Sequence, residues 1–243
     1  MISRGTIAFA VFALIVSLGC IRLGFWQLER YDERKATNAQ ITARLVESPA
    51  LLASLRPNSL VRFRRLRAMG RYDYANEMVL TSRGRHGAPG VHVITPFRTE
   101  SGDSAVLVNR GWAYAPDGMR IDLSLFREDS NVVEVDGFLE EFSTNPGPVF
   151  TPSVPNGIRR LNYDSISARL PYPLARMVIV QRLDSGEAVA VDKGHPVRAD
   201  PPPLDEGPHR AYAIQWFGFA LVGIVGTGLV VQRDRRRGTI PPI

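Results

Sequence analysis

The chain has 243 residues, a formal charge of +6 and a pI of about 9.9, and its mixed composition excludes a fibrous or wholly disordered protein. The basicity points first to nucleic acid, but residues 27–208 carry 23 basic and 23 acidic side chains, so the surplus rests on Arg4, Arg22, Arg210, Arg233, Arg235, Arg236 and Arg237, less Asp234. These residues flank two apolar stretches, which makes the charge a membrane-border feature and removes the main support for a nucleic-acid partner.

In chain order, residues 1–4 are a short N-terminus and residues 5–26 a predicted transmembrane helix. Gly5 to Ile21 is uncharged, and continuing to Trp26 gives roughly 33 Å of helix, enough to cross a bilayer core. Arg22 lies near its edge and can snorkel. Ser17-Leu18-Gly19-Cys20 is only faintly like a lipoprotein cleavage box, and the apolar run is long for a signal peptide, so a retained span is expected. The absence of an Arg-rich, Ser-rich transit peptide favours a bacterial membrane over an organelle.

Residues 27–208 form the predicted extracytoplasmic domain. Residues 27–48 lack Gly and Pro and keep loosely helical apolar spacing, so the first span should continue as a helix. Short runs rich in β-branched and aromatic residues follow at Val61 to Tyr72, Glu77 to Ser82, Val91 to Thr99, Ala105 to Trp112, Val132 to Phe142, Met177 to Leu183 and Ala188 to Val191. Ser101-Gly102-Asp103 reads as a hairpin connection. Consecutive strands without long helices between them predict an antiparallel β-rich domain, a partial barrel or sandwich, with short helices at Asp117 to Phe126 and Tyr163 to Leu170. The Pro-rich stretch Asn145 to Pro155 should be a surface loop, and residues 196–208 a stiff spacer.

Residues 209–231 are the second predicted span, with Tyr212, Trp216 and Phe217 near its start as expected at a headgroup boundary. Residues 232–243 are a basic tail, whose arginines place it in the cytoplasm by the positive-inside rule. Two spans then put the N-terminus there too. The fold class is therefore membrane α plus β, with two transmembrane helices flanking one β-rich domain.

The sequence contains no Gly-x-Ser-x-Gly, His-Glu-x-x-His, phosphate-binding Gly-x-x-x-x-Gly-Lys or Cys-x-x-Cys-His motif, so no enzyme is expected. The single cysteine, Cys20, leaves no thiolate pair for a soft metal. Among four histidines, His86 and His92 flank a predicted turn and His195 lies in a loop. His209 differs, because it follows Gly207-Pro208 in the first turn of the second span. A helix N-terminus favours the neutral imidazole, the form in which histidine ligates a haem iron. Helical spacing places His209, Tyr212 or Ala213, and Trp216 along one face as an aromatic wall, while Arg210 and Arg22 can pair with propionates. The competing reading is an interfacial histidine beside interfacial aromatics.

Several strings resemble, in order, those of the Surfeit locus protein family of Surf and Shy type cytochrome c oxidase assembly factors. Gly24-Phe25-Trp26-Gln27 is similar to the Gly-x-Trp-Gln element ending the first span, and Gly70-Arg71-Tyr72-Asp73 with Glu77-Met78-Val79-Leu80 resembles the first strand pair. Gly90 to Phe97 and Val106 to Trp112 resemble the central block, Asn109-Arg110-Gly111-Trp112 being its most diagnostic string. His209 to Phe217 resembles the His-x-x-Tyr-Ala-x-x-Trp-Phe element opening the second span, although the family commonly carries Asn-Asn where this chain has Gly207-Pro208.

The resemblance implies a non-enzymatic chaperone in the bacterial inner membrane that assists haem-copper oxidase assembly and holds haem a, with His209 as axial ligand. Its implied partners are the oxidase catalytic subunit and the haem a synthesis machinery. The alternative is a membrane-tethered docking module for oxidase subunits that holds no haem. For the topology, a reporter active only outside the cytoplasm should be silent when fused after Ile243 and active when inserted within residues 145–155. The opposite pattern would reverse the orientation.

Overall fold

The computed structural model describes residues 2–55, 61–100, 102, 104–127, 131–182, 196–200, 202 and 204–237. The chain divides into two compact units, Met1–Gln40 with Pro203–Ile243, and Ile41–Pro202. Its helices are α1 (Arg4–Val46), α2 (Tyr163–Ser167) and α3 (His209–Arg237).

The first unit is an antiparallel pair formed by α3 and most of α1, both long and apolar enough to cross a membrane. Ser3 starts α1 as a side-chain cap, its Oγ accepting from the Thr6 N–H at 3.1 Å. Ser17, Cys20 and Gly24 are buried on one helix, and Ala213 and Ala220 on the other. That spacing of three, four and seven residues is the signature of a packing seam. Small residues let the backbones approach: a Cβ at Gly24 would lie 2.6 Å from the Phe217 ring, and one at Gly223 would meet the Ser17 Oγ. Away from the seam, Phe12, Ile15, Ile214 and Val222 are exposed, as suits side chains that face lipid.

The second unit contains β1 (Ala50–Leu51), β2 (Arg65–Tyr72), β3 (Met78–Leu80), β4 (Gly90–Thr99), β5 (Ala105–Tyr114), β6 (Val133–Glu140), β7 (Gly157–Ile158) and β8 (Leu174–Gln181). Five of them close a ring, β2 to β6 to β8 to β5 to β4 and back to β2. Each contributes to its interior: Leu66, Phe97, Val106, Val108, Val135 and Ile179 are almost wholly buried there. Alternation sends Leu107 and Val178 to the opposite face, where they pack with Ile94, Ile158 and Ile166 beneath α2. β4 is shared, since Met78 to Leu80 pair with its first half and Gly70 to Tyr72 with its end.

The expected β-rich domain is thus a closed barrel, and its sheet is mixed where an antiparallel one was predicted. β5 and β8 run parallel, whereas the other four neighbouring pairs of the ring are antiparallel. The cause is topological: strand direction can alternate around a closed ring only if the number of strands is even.

Other boundaries shift for local reasons. The predicted helix from Asp117 to Phe126 shrinks to a short 3-10 turn over Leu123–Phe126. The Asp117 carboxylate accepts from the Met119 and Arg120 N–H groups at 2.8 Å each, and Gly118 has φ +65°, so the chain turns there instead of entering a helix. The strand expected from Met177 begins at Leu174, which pairs with Ala105. Ser101 and Asp103 of the β4 to β5 connection, the run Ala188 to Val191, and His195 lie outside the described residues.

A break in register between β4 and β5 governs one end of the barrel. Val93 faces Gly111 and Ile94 faces Asn109, which leaves Arg110 as the extra residue of a bulge. Gly111 takes φ +126°, and a Cβ there would strike the Val197 carbonyl. Trp112 meanwhile exchanges backbone hydrogen bonds with Val197 at 2.8 and 2.7 Å. Gly111→Ala should therefore strain both backbone and contact, lowering stability by about 1–3 kcal/mol. Thermal unfolding of the detergent-solubilised protein, followed by tryptophan fluorescence, tests this; an unchanged midpoint would disprove it.

Candidate functional site

His209 is the first residue of α3. Gly207 precedes it in the left-handed region at φ +73°, its N–H donating to Asp205 Oδ1 at 2.8 Å, and the Pro208 carbonyl accepts the Tyr212 N–H at 3.1 Å. Glycine adopts such a φ readily, so Gly207 suits the turn into α3.

Among the described residues the half-buried His209 ring makes one polar contact, from Nδ1 to Gln27 Oε1 on α1 at 2.8 Å. An amide oxygen only accepts, so Nδ1 carries a proton, and Nε2 has no hydrogen-bond partner among the described residues. A Cβ at Gly207 would come within 3.4 Å of Nε2 and 3.2 Å of Cδ2. Glycine thus keeps the Nε2 edge of the ring open. An oriented imidazole with a clear Nε2 edge is the kind of group that a haem iron takes from histidine.

The remaining expected residues are less tightly gathered. Trp216 is half-buried and meets Phe219 edge-on at 5.9 Å, whereas Tyr212 is 46 % exposed, and it is Ala213 that lies in the helix seam. Arg210 is exposed. Arg22 lies 4.0 Å from Glu29 with both side chains mostly exposed, a contact worth little in water. Trp26 is also exposed, beneath the Arg30 guanidinium at 5.8 Å. Gly24 and Gln27 acquire specific roles, one admitting the Phe217 ring and the other orienting His209. Sequence reasoning placed Gln27 in a motif without a partner. Its signal was an amide side chain at the boundary of an apolar helix, where a polar group needs a bond.

Asn109, Arg110, Gly111 and Trp112 belong to the barrel unit, where each supports the bulge. Asn109 Oδ1 accepts from the Gly111 N–H at 3.1 Å, so its amide nitrogen donates to His92 Nδ1 at 3.0 Å. Trp112 Nε1 donates to the Arg83 carbonyl at 2.7 Å. Arg110 turns inward, fully buried, donating to the Phe126 carbonyl and stacking 4.6 Å from the Tyr72 ring centre. Nearby, the buried Glu77 carboxylate accepts from Arg127 Nε at 2.7 Å, and burial raises its pKa despite that partner.

His92 lies in the strand expected from Val91, just beyond the turn, and is paired across the ladder to Trp112. Burial, reinforced by the Arg83 cation, depresses its pKa from 6.5 to about 4. The unfolded chain then binds more protons between these values, so His92 should cost stability as pH falls from 6.5 toward 4. Thermal midpoints over that range should drop less in His92→Gln than in the wild type; parallel pH profiles would show that His92 contributes nothing.

Comparison with known proteins places these features in context. The model of the SURF1 family matches residues 14–221. A SURF1-like protein of Mycobacterium bovis is 25% identical over 257 residues, covering 100% of this chain and 91% of its own. A SURF1-like protein of Rickettsia conorii is 24% identical over 232 residues, covering 90% and 87%. Surfeit locus protein 1 of Gallus gallus is 29% identical over 116 residues, covering 41% and 37%.

Proposed function

Because this chain belongs to the SURF1 family, whose members are cytochrome oxidase assembly factors and not generally enzymes, we propose that it is an inner-membrane chaperone that holds haem a through His209. Its partners in this reading are the catalytic subunit of cytochrome c oxidase and the machinery that makes haem a. The cell is bacterial, residues 5–26 and 209–231 span the membrane, residues 27–208 are extracytoplasmic, and both termini are cytoplasmic.

The observation that carries the reading is the His209 to Gln27 hydrogen bond. A histidine serving only as an interfacial side chain has no need of a fixed tautomer. Here Gln27 holds a proton on Nδ1 and so fixes the ring with its Nε2 edge turned away from that bond, as outer partners of ligating histidines do. When bound, haem supplies an iron with axial coordination positions and two propionates. Trp216 and Tyr212 offer aromatic surface beside the His209 edge. Arg210, next in the chain and exposed, is available to a carboxylate. Arg22 can join it only by giving up its loose contact with Glu29.

Absorbance of protein purified from haem a-producing cells tests this. The wild type should retain haem with a Soret band, which His209→Ala should shift or remove. The substitution should cost no more than about 1 kcal/mol of stability for its lost hydrogen bond. Gln27→Ala should keep the ligand but lower haem affinity by about tenfold. Arg210→Ala should act more mildly, since water and salt screen an exposed cation. If His209→Ala keeps the haem content and spectrum while oxidase assembly falls, haem carriage is wrong and a docking role takes its place.

A further inference from the structure

The barrel unit has a second polar feature, remote in sequence from His209. Many of its arginines are visibly paired: Arg62 with Glu140, Arg67 with Asp136, Arg85 with Asp200 and Arg127 with Glu77. Arg83, Arg159 and Arg160 break this pattern. All three line one open pocket of about 390 Å³, between the chain that leaves β3 and the ends of the segment joining β6 to β7 and α2. Among the described residues none of them forms an ion pair, although Glu141 lines the same pocket.

Two of the three are held in place by backbone. Arg83 Nη2 donates to the Arg159 carbonyl at 3.0 Å. Arg160 Nη1 donates to the Asn145 carbonyl at 2.7 Å and also to that of Pro146. Gly147 at φ +111° completes the turn around that guanidinium, and a Cβ there would stand 3.0 Å from Nη2. Burial lowers the Arg83 pKa. Cations fixed by neutral carbonyls and left uncompensated are poised for an anion, and guanidinium forks suit phosphate oxygens.

We propose that this pocket binds the phosphate group of a phosphomonoester. Three arginines against Glu141 leave a surplus of about two positive charges, which matches the roughly −1.5 to −2 of a phosphomonoester at neutral pH. The volume exceeds a bare phosphate and leaves room for a small organic group. The ester is either a soluble metabolite or the headgroup of a lipid such as phosphatidic acid.

Isothermal titration of the full-length protein with glycerol 3-phosphate, in nanodiscs of phosphatidylcholine, tests the proposal. Saturable one-site binding is expected. Arg159→Ala, an exposed position whose loss should not disturb folding, should weaken it by about tenfold, the worth of one charge-assisted hydrogen bond. Arg176→Ala, which changes an exposed arginine outside the pocket, should not. Adding phosphatidic acid to the discs separates the sources: competition that Arg159→Ala abolishes identifies the lipid, and unchanged affinity identifies the soluble ester. No saturable binding, or binding that neither Arg159→Ala nor Arg83→Gln weakens, overturns the proposal. His209→Ala should bind glycerol 3-phosphate as the wild type does, so this site and the haem reading fail separately.

Discussion

A ring of five strands cannot alternate direction all the way round, and closure of this barrel therefore depends on one parallel seam. That seam is β5 with β8. Strands that run parallel cannot be joined by a tight hairpin, so the chain must travel far between them. It does so by forming β6 first and then a long excursion through residues 141–173 that contains β7 and α2. The excursion is not idle. Ile158 and Ile166 cover the outward faces of β4, β5 and β8, converting what would be an exposed apolar surface into a second core. The same excursion carries Arg159 and Arg160 to the cationic pocket.

The bulge in β5 is the second constraint, and it explains why a charged residue occupies the middle of a strand. One extra residue between Asn109 and Gly111 turns the Arg110 guanidinium into the protein, where it is fully buried. Burying a cation is costly unless its surroundings answer the charge. Here the Phe126 carbonyl, the faces of Tyr72 and Tyr74, and the field of Glu77 do so. Asn109 ties the bulge closed across one residue, and Gly111 supplies the backbone geometry that no side chain would permit. Asn109-Arg110-Gly111-Trp112 is thus an architectural device of the barrel.

Strand and span positions were legible because they rest on period and composition: alternating β-branched runs gave the barrel strands, and two uncharged stretches gave the long helices. The parallel seam was not, because it follows from ring closure, which no local pattern encodes. The helix expected after Asp117 failed for a similar reason, since Asp117 and Gly118 are turn formers whose local bonds outcompete helix continuation. His209 stood out in the sequence by its place at a helix start. Its partner could not, because Gln27 lies 182 positions away and nothing in either local sequence reports the other. Arg83, Arg159 and Arg160 were invisible for the same reason, being ordinary arginines until folding gathers all three at one pocket, where none forms an ion pair among the described residues.

The helix pair joins these arguments to the haem reading. In lipid, apolar surface supplies no drive for association, so two spans are held by close packing and by polar bonds that hydrocarbon cannot replace. Gly24 against Phe217 and Ser17 against Gly223 provide the first, and Ser3 with Asp234 at one end and Arg34 with the Asp205 carbonyl toward the other provide the second. The bond between Gln27 and His209 belongs to both accounts. It fastens the start of α3 to α1 one turn beyond the Gly24 contact, and in doing so it fixes the imidazole tautomer. A side chain that only needed anchoring could have used either ring nitrogen. The use of Nδ1, with glycine rather than a larger residue beside Nε2, leaves the Nε2 edge as the one not spent on structure among the described residues.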